Sequence, residues 1–147
     1  MSTSSPQPNR LAKLVHQRGG QPMAVAIRAA EANLHHIRGD VIGEIEAILA
    51  RMHAIEAAGS DAQSLEELYT LANSVIGMAG LFGMSGLGHV CFSLCELLDR
   101  LRSQHKQDAP ALRVHMESLH LLRPGATYDK ERQTAVIVAL QRIVARV

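Results

Sequence analysis

Apolar residues recur at every third or fourth position through most of the chain, and this spacing limits the available folds more than any other feature. One stripe covers residues 23–58, and four shorter stripes follow it. Positions three and four apart share one face of an α-helix, so each stripe predicts a helix with one apolar side. No segment shows the alternation of a half-buried strand. The sequence therefore predicts an all-α fold, namely an antiparallel four-helix bundle with one or two additional helices.

Size and composition favour a single bundle domain. The 147 residues are 47% hydrophobic and contain no Trp, so they can form one core of aliphatic side chains. We expect residues 1–21, rich in Ser, Pro and Gln, to be a flexible arm and residues 22–147 to be the bundle. The net charge of +1 predicts no nucleic-acid partner. Without a secretory signal or long apolar run, no membrane partner and a cytoplasmic location are expected.

Capping residues predict where the first helices end. Residues 23–58 form either one kinked helix or two helices, because Gly39 precedes Asp40, and Asp is a residue type that often caps a new helix. Ser64 and Glu67 have the spacing of a capping box, which starts the next helix just after Ser64.

Three more helices are expected further along the chain. The third covers about residues 87–103, and the fourth covers about 108–122 with Pro110 in its first turn. The last helix covers about 127–146, with Thr127 as its cap.

The second predicted helix has two distinct faces. Its apolar stripe, which we expect in the core, contains Leu68, Leu71, Val75, Met78 and Phe82. Because each helical residue advances by about 100°, Asn73, Ile76, Gly77 and Gly80 form one outward stripe. Two glycines on that stripe expose the backbone to a partner. They are equally consistent with close packing against another helix of the same chain.

Residues 71–83, Leu-Ala-Asn-Ser-Val-Ile-Gly-Met-Ala-Gly-Leu-Phe-Gly, resemble the signature helix of a histidine phosphotransfer (HPt) domain. In that family an accessible His is followed three residues later by Lys and four residues later by Gly, and a second Gly comes further on. Gly77 and Gly83 match the two glycines. Asn73 stands at the position of the His, and Ile76 at that of the Lys. The resemblance covers residues 41–104 best.

The resemblance implies a phosphorelay fold that has lost its chemistry. In a working HPt domain the neutral imidazole attacks the aspartyl phosphate of a receiver domain, and the Lys offsets phosphoryl charge. An amide nitrogen is conjugated with its carbonyl, and Ile carries no charge. We therefore expect a non-catalytic protein without a cofactor that binds a response-regulator receiver domain or a histidine kinase. The expected binding residues are Tyr69, Thr70, Asn73, Ile76, Gly77 and Gly80.

Three other functions remain open. An aspartyl-phosphate phosphatase would orient water with the Asn73 amide, although the carboxylate on the same face, Glu66, lies two turns away. Active phosphotransfer would use another His. A structural role would use the apolar stripe of residues 27–55 in a homodimer, although the same stripe also suits the core of a monomer.

The remaining His and Cys residues predict no metal site. Cys91 and Cys95 lie one helical turn apart without a second pair of ligands, so buried free thiols are expected. His89 is expected at the surface. The other histidines, which lack a ligand-forming spacing and are expected at structural or surface positions, are His35, His36, His53, His105, His115 and His120.

Overall fold

A computed structural model of the protein describes residues 22–59 and 61–147, so the predicted arm of residues 1–21 lies outside the described residues. The described ranges form α1 (Met23–Ala58), α2 (Ala62–Leu81), α3 (Ser85–Gln104), α4 (Ala109–Leu121) and α5 (Lys130–Arg146). They contain no β-strand, which confirms the predicted all-α class. No helix in these ranges is both long enough and apolar enough to cross a bilayer.

The first segment is one helix of 36 residues rather than two. Gly39 and Asp40 lie inside it, so Asp40 does not cap a second helix. Residues 22–40 are all exposed. The described chain divides into two units after Gly39, and the core belongs to residues 40–147. The buried residues that α1 contributes to it are Ile45, Leu49, Met52 and Ile55.

Aspartates cap three of the helices, and two of these caps differ from prediction. Asp61 accepts a hydrogen bond from the backbone N–H of Ser64 at 2.7 Å, so α2 starts before the expected capping box. This bond lowers the pKa of the Asp61 carboxyl. Asp129, not Thr127, caps α5 by accepting from the N–H three residues later at 2.8 Å. Asp108 caps α4 by accepting from the N–H of Ala111, at the expected start of that helix. A carboxylate also suits the positive end of the helix dipole.

The predicted core face of α2 is only partly correct. Leu68 and Val75 are buried, whereas Leu71, Met78 and Phe82 are half-buried. The other buried residues of α2 are Leu65, Ala72 and Ala79. Two alanines among them show that the core face is defined by small residues as well as large ones.

Small residues bring α2 close to α3. A Cβ placed on Gly88 of α3 would lie 3.7 Å from the Ala79 Cβ, which is ordinary van der Waals contact. Near the other end of α2, the Arg102 guanidinium lies over the Tyr69 ring. The two helices are joined by a short connection in which Gly83 has a φ of +73°. They therefore form a helical hairpin, and Gly83 adopts a left-handed conformation that Gly tolerates.

The α2–α3 hairpin also contacts α1 and α5 through polar side chains. Arg51 of α1 forms an ion pair with Glu67 of α2 at 2.9 Å. On the other side, Arg100 of α3 donates a hydrogen bond to the Val144 carbonyl of α5 at 2.9 Å. Because exposed ion pairs contribute little stability, the apolar core contributes most of it.

One polar pair is buried between α3 and α4. His115 is fully buried, and its Nδ1 lies 2.9 Å from the Ala111 carbonyl oxygen. Since that oxygen only accepts, Nδ1 carries the proton. The other nitrogen, Nε2, then accepts from the Ser93 hydroxyl at 2.9 Å. Burial lowers the pKa of His115, although the bond to Ala111 opposes the shift. His115 is therefore a neutral, structural histidine.

This pair predicts a loss of stability in mild acid. The pKa of His115 is lowered from 6.5 in the folded protein, so the unfolded chain binds a proton first. As the pH falls below about 6.5, the free energy of unfolding should therefore decrease. Urea unfolding across this pH range measures the effect.

A double variant isolates the contribution of His115. Ser93→Ala with His115→Leu removes both polar partners, so we expect a smaller dependence of stability on pH than in the natural protein. The control His89→Ala removes an exposed imidazole and should keep the full dependence. An unchanged pH dependence in the double variant would show that His115 is not the titrating group.

Candidate functional site

The six predicted binding residues all lie on α2, and we call them the Asn73 face: Tyr69, Thr70, Asn73, Ile76, Gly77 and Gly80. Thr70, Asn73, Gly77 and Gly80 are exposed. The half-buried Tyr69 and Ile76 pack against the core. The exposed surface of the helix therefore consists of polar side chains and glycines. The larger side chains of Tyr69 and Ile76 border this surface and pack against the core.

The polar side chains of this face bond to their own helix. Asn73 Nδ2 donates to the Tyr69 carbonyl oxygen at 3.2 Å. Thr70 Oγ1 donates to the Glu66 carbonyl oxygen at 3.2 Å, and Ser74 Oγ to the Thr70 carbonyl oxygen at 3.1 Å. Such bonds use side-chain donors without a second molecule. The surface therefore presents fewer donors than its composition suggests.

The Asn73 position cannot perform the chemistry of a phosphoacceptor. Its amide nitrogen has no available lone pair and no proton equilibrium near neutral pH. Ile76 supplies no positive charge for a phosphoryl group. The nearest polar neighbours in the preceding turn are Tyr69 and Thr70, neither of which is a carboxylate.

Gly77 and Gly80 are not required by packing within the described chain. A Cβ at either position would meet no atom within 4 Å. Gly86 of α3 differs, because a Cβ there would clash with the Gln133 side chain of α5. Of the two interpretations of the glycines, close packing within the chain therefore suits Gly86 and does not suit Gly77 or Gly80. In a helix interior each such Gly costs roughly 1 kcal/mol relative to Ala.

A cation from α3 extends one end of the face. The Arg102 guanidinium carbon lies 5.8 Å from the centroid of the Tyr69 ring. A cation above an aromatic face is held by the ring quadrupole. Sequence periodicity did not indicate this contact, since the two residues belong to different helices. Only the register of the hairpin brings them together.

Two exposed apolar side chains lie on the same hairpin and were missed in the sequence. Leu81, at the end of α2, is 81% exposed, and Phe92 of α3 is 57% exposed. Phe92 is one turn beyond Gly88, and Ile76 is about one turn before Ala79. Because Gly88 lies beside Ala79, Phe92 and Ile76 occupy the same level of the hairpin. The α2–α3 hairpin therefore exposes large apolar side chains at its tip and along α3.

The two cysteines give the described residues no reactive thiol. Cys91 and Cys95 are free and buried, as predicted. Burial raises the pKa of Cys91 to about 12, with a contribution from Cys95, and that of Cys95 to about 11, with a contribution from Asp99. These thiols are therefore protonated and unreactive at neutral pH. In residues 22–59 and 61–147, no group of three or more potential ligands could hold a metal ion.

No family model, curated protein or solved structure matches the chain. The resemblance of residues 71–83 to the HPt signature therefore stays a prediction from the sequence.

Proposed function

We propose that this chain is a degenerate HPt protein that binds a phosphorelay partner without transferring phosphate. Its partner is a response-regulator receiver domain or a histidine kinase, met in the cytoplasm and bound on the Asn73 face. The observation that carries this proposal is the open space above Gly77 and Gly80. A Cβ at Gly43 of α1 also meets no atom, so open space alone does not single out these two glycines. Gly77 and Gly80 differ because they share one face with Asn73, where they allow another molecule to approach closely.

The substitutions at the two reactive positions support binding over catalysis. Asn73 keeps a short, exposed polar side chain at the place of the imidazole. Ile76 replaces a charged side chain with one that packs partly against the core. Both changes remove the same phosphoryl-transfer step, while the glycines that allow close approach are retained. A contact made by such a face depends on apolar packing rather than on phosphorylation.

Glycine substitutions separate binding from folding. Gly77→Gln and Gly80→Gln each place a side chain where the partner's surface should lie. Overpacking of a close contact costs about 1–3 kcal/mol, so we expect binding to weaken by about 5- to 150-fold. The same changes should stabilise the isolated protein by about 0.5 kcal/mol, because Gln favours helix over Gly. Interferometry against purified receivers and kinases of the same organism measures binding, and urea unfolding measures stability.

Gly43→Gln is the matched control. Gly43 lies in α1, is exposed, and a Cβ there also meets no atom within 4 Å. This variant should gain similar stability and bind as the natural protein does. The proposal is contradicted if both Gly77→Gln and Gly80→Gln bind as tightly as the natural protein. It is also contradicted if no receiver or kinase binds the natural protein.

A further inference from the structure

A cavity of about 340 Å³ is lined by residues of α1, α2, α3 and α4 at the end of α1, and we call it the α1-end cavity. Three of its lining residues, Leu65 of α2, Leu101 of α3 and Leu112 of α4, are almost fully buried. Its inner wall is therefore apolar. Sites for small ligands are typically concave, about 300–1,000 Å³ in volume, and apolar apart from a few polar groups. The size and the lining of the cavity thus suit a small organic molecule.

A mostly buried carboxylate lies beside this apolar wall. Glu56 of α1 lines the cavity, and its side chain is only 18% exposed. Its Oε1 lies 3.6 Å from Arg113 Nε, a distance longer than a hydrogen bond. The Arg113 side chain is 69% exposed, so solvent weakens the attraction between the two charges. A charge that is largely removed from water is costly unless it is paired and hydrogen-bonded, and Arg113 provides only a loose pairing.

The place of Glu56 in its helix makes the cavity more negative. Glu56 lies in the last turn of α1, where the free carbonyl oxygens form the negative end of the helix dipole. That turn contains no basic residue. Asp108 adds a second carboxylate to the lining, although the N-terminus of α4, which it caps, offsets part of its charge. Among the described residues that line the cavity, Arg113 is the one cation, so the lining favours a positively charged ligand.

We propose that the α1-end cavity binds a small primary ammonium ion with an apolar body. The apolar body lies against the three leucines, and the ammonium group donates to the Glu56 carboxylate. Hydrogen bonds between charged groups are shorter and stronger than those between neutral groups. An anionic ligand would depend on the exposed Arg113 and would lie close to Glu56, so the cavity disfavours it. This site is separate from the Asn73 face, and neither proposal depends on the other.

Three probes that share a phenyl ring and differ in charge test this assignment. Phenethylamine carries an ammonium group, phenethyl alcohol is neutral, and phenylacetate carries a carboxylate. Each is titrated into the isotope-labelled full chain and followed by amide NMR. We expect phenethylamine to bind with a micromolar to millimolar Kd and to shift the amide signals of Leu65, Leu101 and Leu112. Without the charge-assisted bond, the alcohol should bind at least about fivefold more weakly, and phenylacetate more weakly still.

Two charge variants identify the group that recognises the ammonium ion. Glu56→Gln keeps the shape of the side chain, so it should weaken phenethylamine binding at least about fivefold and leave binding of the alcohol unchanged. Arg113→Ala removes the competing cation and should tighten phenethylamine binding. Glu46→Gln is the matched control, because it makes the same change at an exposed position of α1. It should bind all three probes as the natural protein does.

A third variant identifies the cavity itself. Ala57 is exposed at the surface and lines the cavity, so Ala57→Leu should narrow it and weaken binding of the amine and the alcohol alike. The inference is overturned if phenethylamine does not bind at millimolar concentrations, or if phenylacetate binds as tightly. It is also overturned if Glu56→Gln leaves amine binding unchanged, or if the shifted amides lie outside the cavity. Glu56→Gln should bind a receiver or kinase as the natural protein does, so the two proposals are tested separately.

Discussion

The double variant Asn73→His, Ile76→Lys is expected to accept a phosphoryl group from a phosphorylated receiver domain, whereas the natural protein accepts none. An imidazole at position 73 supplies a nitrogen lone pair that attacks phosphorus, and the receiver's aspartate leaves as a carboxylate. Position 73 is exposed and position 76 is half-buried. A Lys there can lie along the apolar surface and extend its ammonium group outward, where it offsets phosphoryl charge.

Acid-labile radioactive label on the protein, after incubation with a labelled receiver that binds it, measures this gain. The change is from no detectable label to stoichiometric label, the largest effect expected of any variant. Asn73→Gln with Ile76→Lys is the control, because it restores the charge without a nucleophile and should stay unlabelled. Label on the natural protein would indicate transfer to another His. An unlabelled double variant that still binds the receiver would show that the Asn73 face is not the site of contact.

Truncating the core of α3 should produce the largest loss of stability. Leu98 is fully buried in the core, and Leu98→Ala removes apolar contacts while leaving a cavity. We expect the free energy of unfolding to fall by about 2–5 kcal/mol, a large part of the total for a small domain. Urea unfolding followed by circular dichroism measures the difference.

Leu81→Ala is the matched control for this change. It removes the same atoms from a side chain that is 81% exposed, so its effect should stay within about 0.5 kcal/mol. Similar losses in the two variants would show that residue 98 does not lie in the core. The same control reports on Leu81, because weaker partner binding by Leu81→Ala would extend the Asn73 face to the end of α2.

The helices could be predicted from the sequence because each contains its own periodic signal. All five were expected, but the start of α2 was placed about three residues too late and the start of α5 about two residues too early. In both cases the helix is capped by an Asp that was not predicted as a cap. Asp108 likewise caps α4, whose start was expected at that residue. Local hydrogen bonds to an Asp side chain therefore decide where these helices begin. The periodicity of apolar residues does not show these starting points.

What the sequence could not supply is the contact between elements. A search for large apolar residues assigns Leu71 and Met78 to the core, but both are only half-buried. The smaller Ala72 and Ala79 are fully buried instead. The Ser93–His115 bond joins residues 22 positions apart, and the Tyr69–Arg102 contact likewise crosses two helices. Such pairs depend on helix register, which no single stripe contains. The outward direction of Asn73, set by helical geometry within α2, was predictable.

The six residues of the Asn73 face include no formally charged side chain, and this affects the expected rate at which a partner would associate with it. Charged surfaces accelerate encounter by long-range attraction, which dissolved salt screens. These six residues supply none of that acceleration, and Arg102 adds a lone cation at one end of the face, so association is expected near the unsteered rate of about 10⁵–10⁶ M⁻¹ s⁻¹. Discrimination among receivers or kinases would then depend on the shape left open above Gly77 and Gly80, and would persist at high ionic strength.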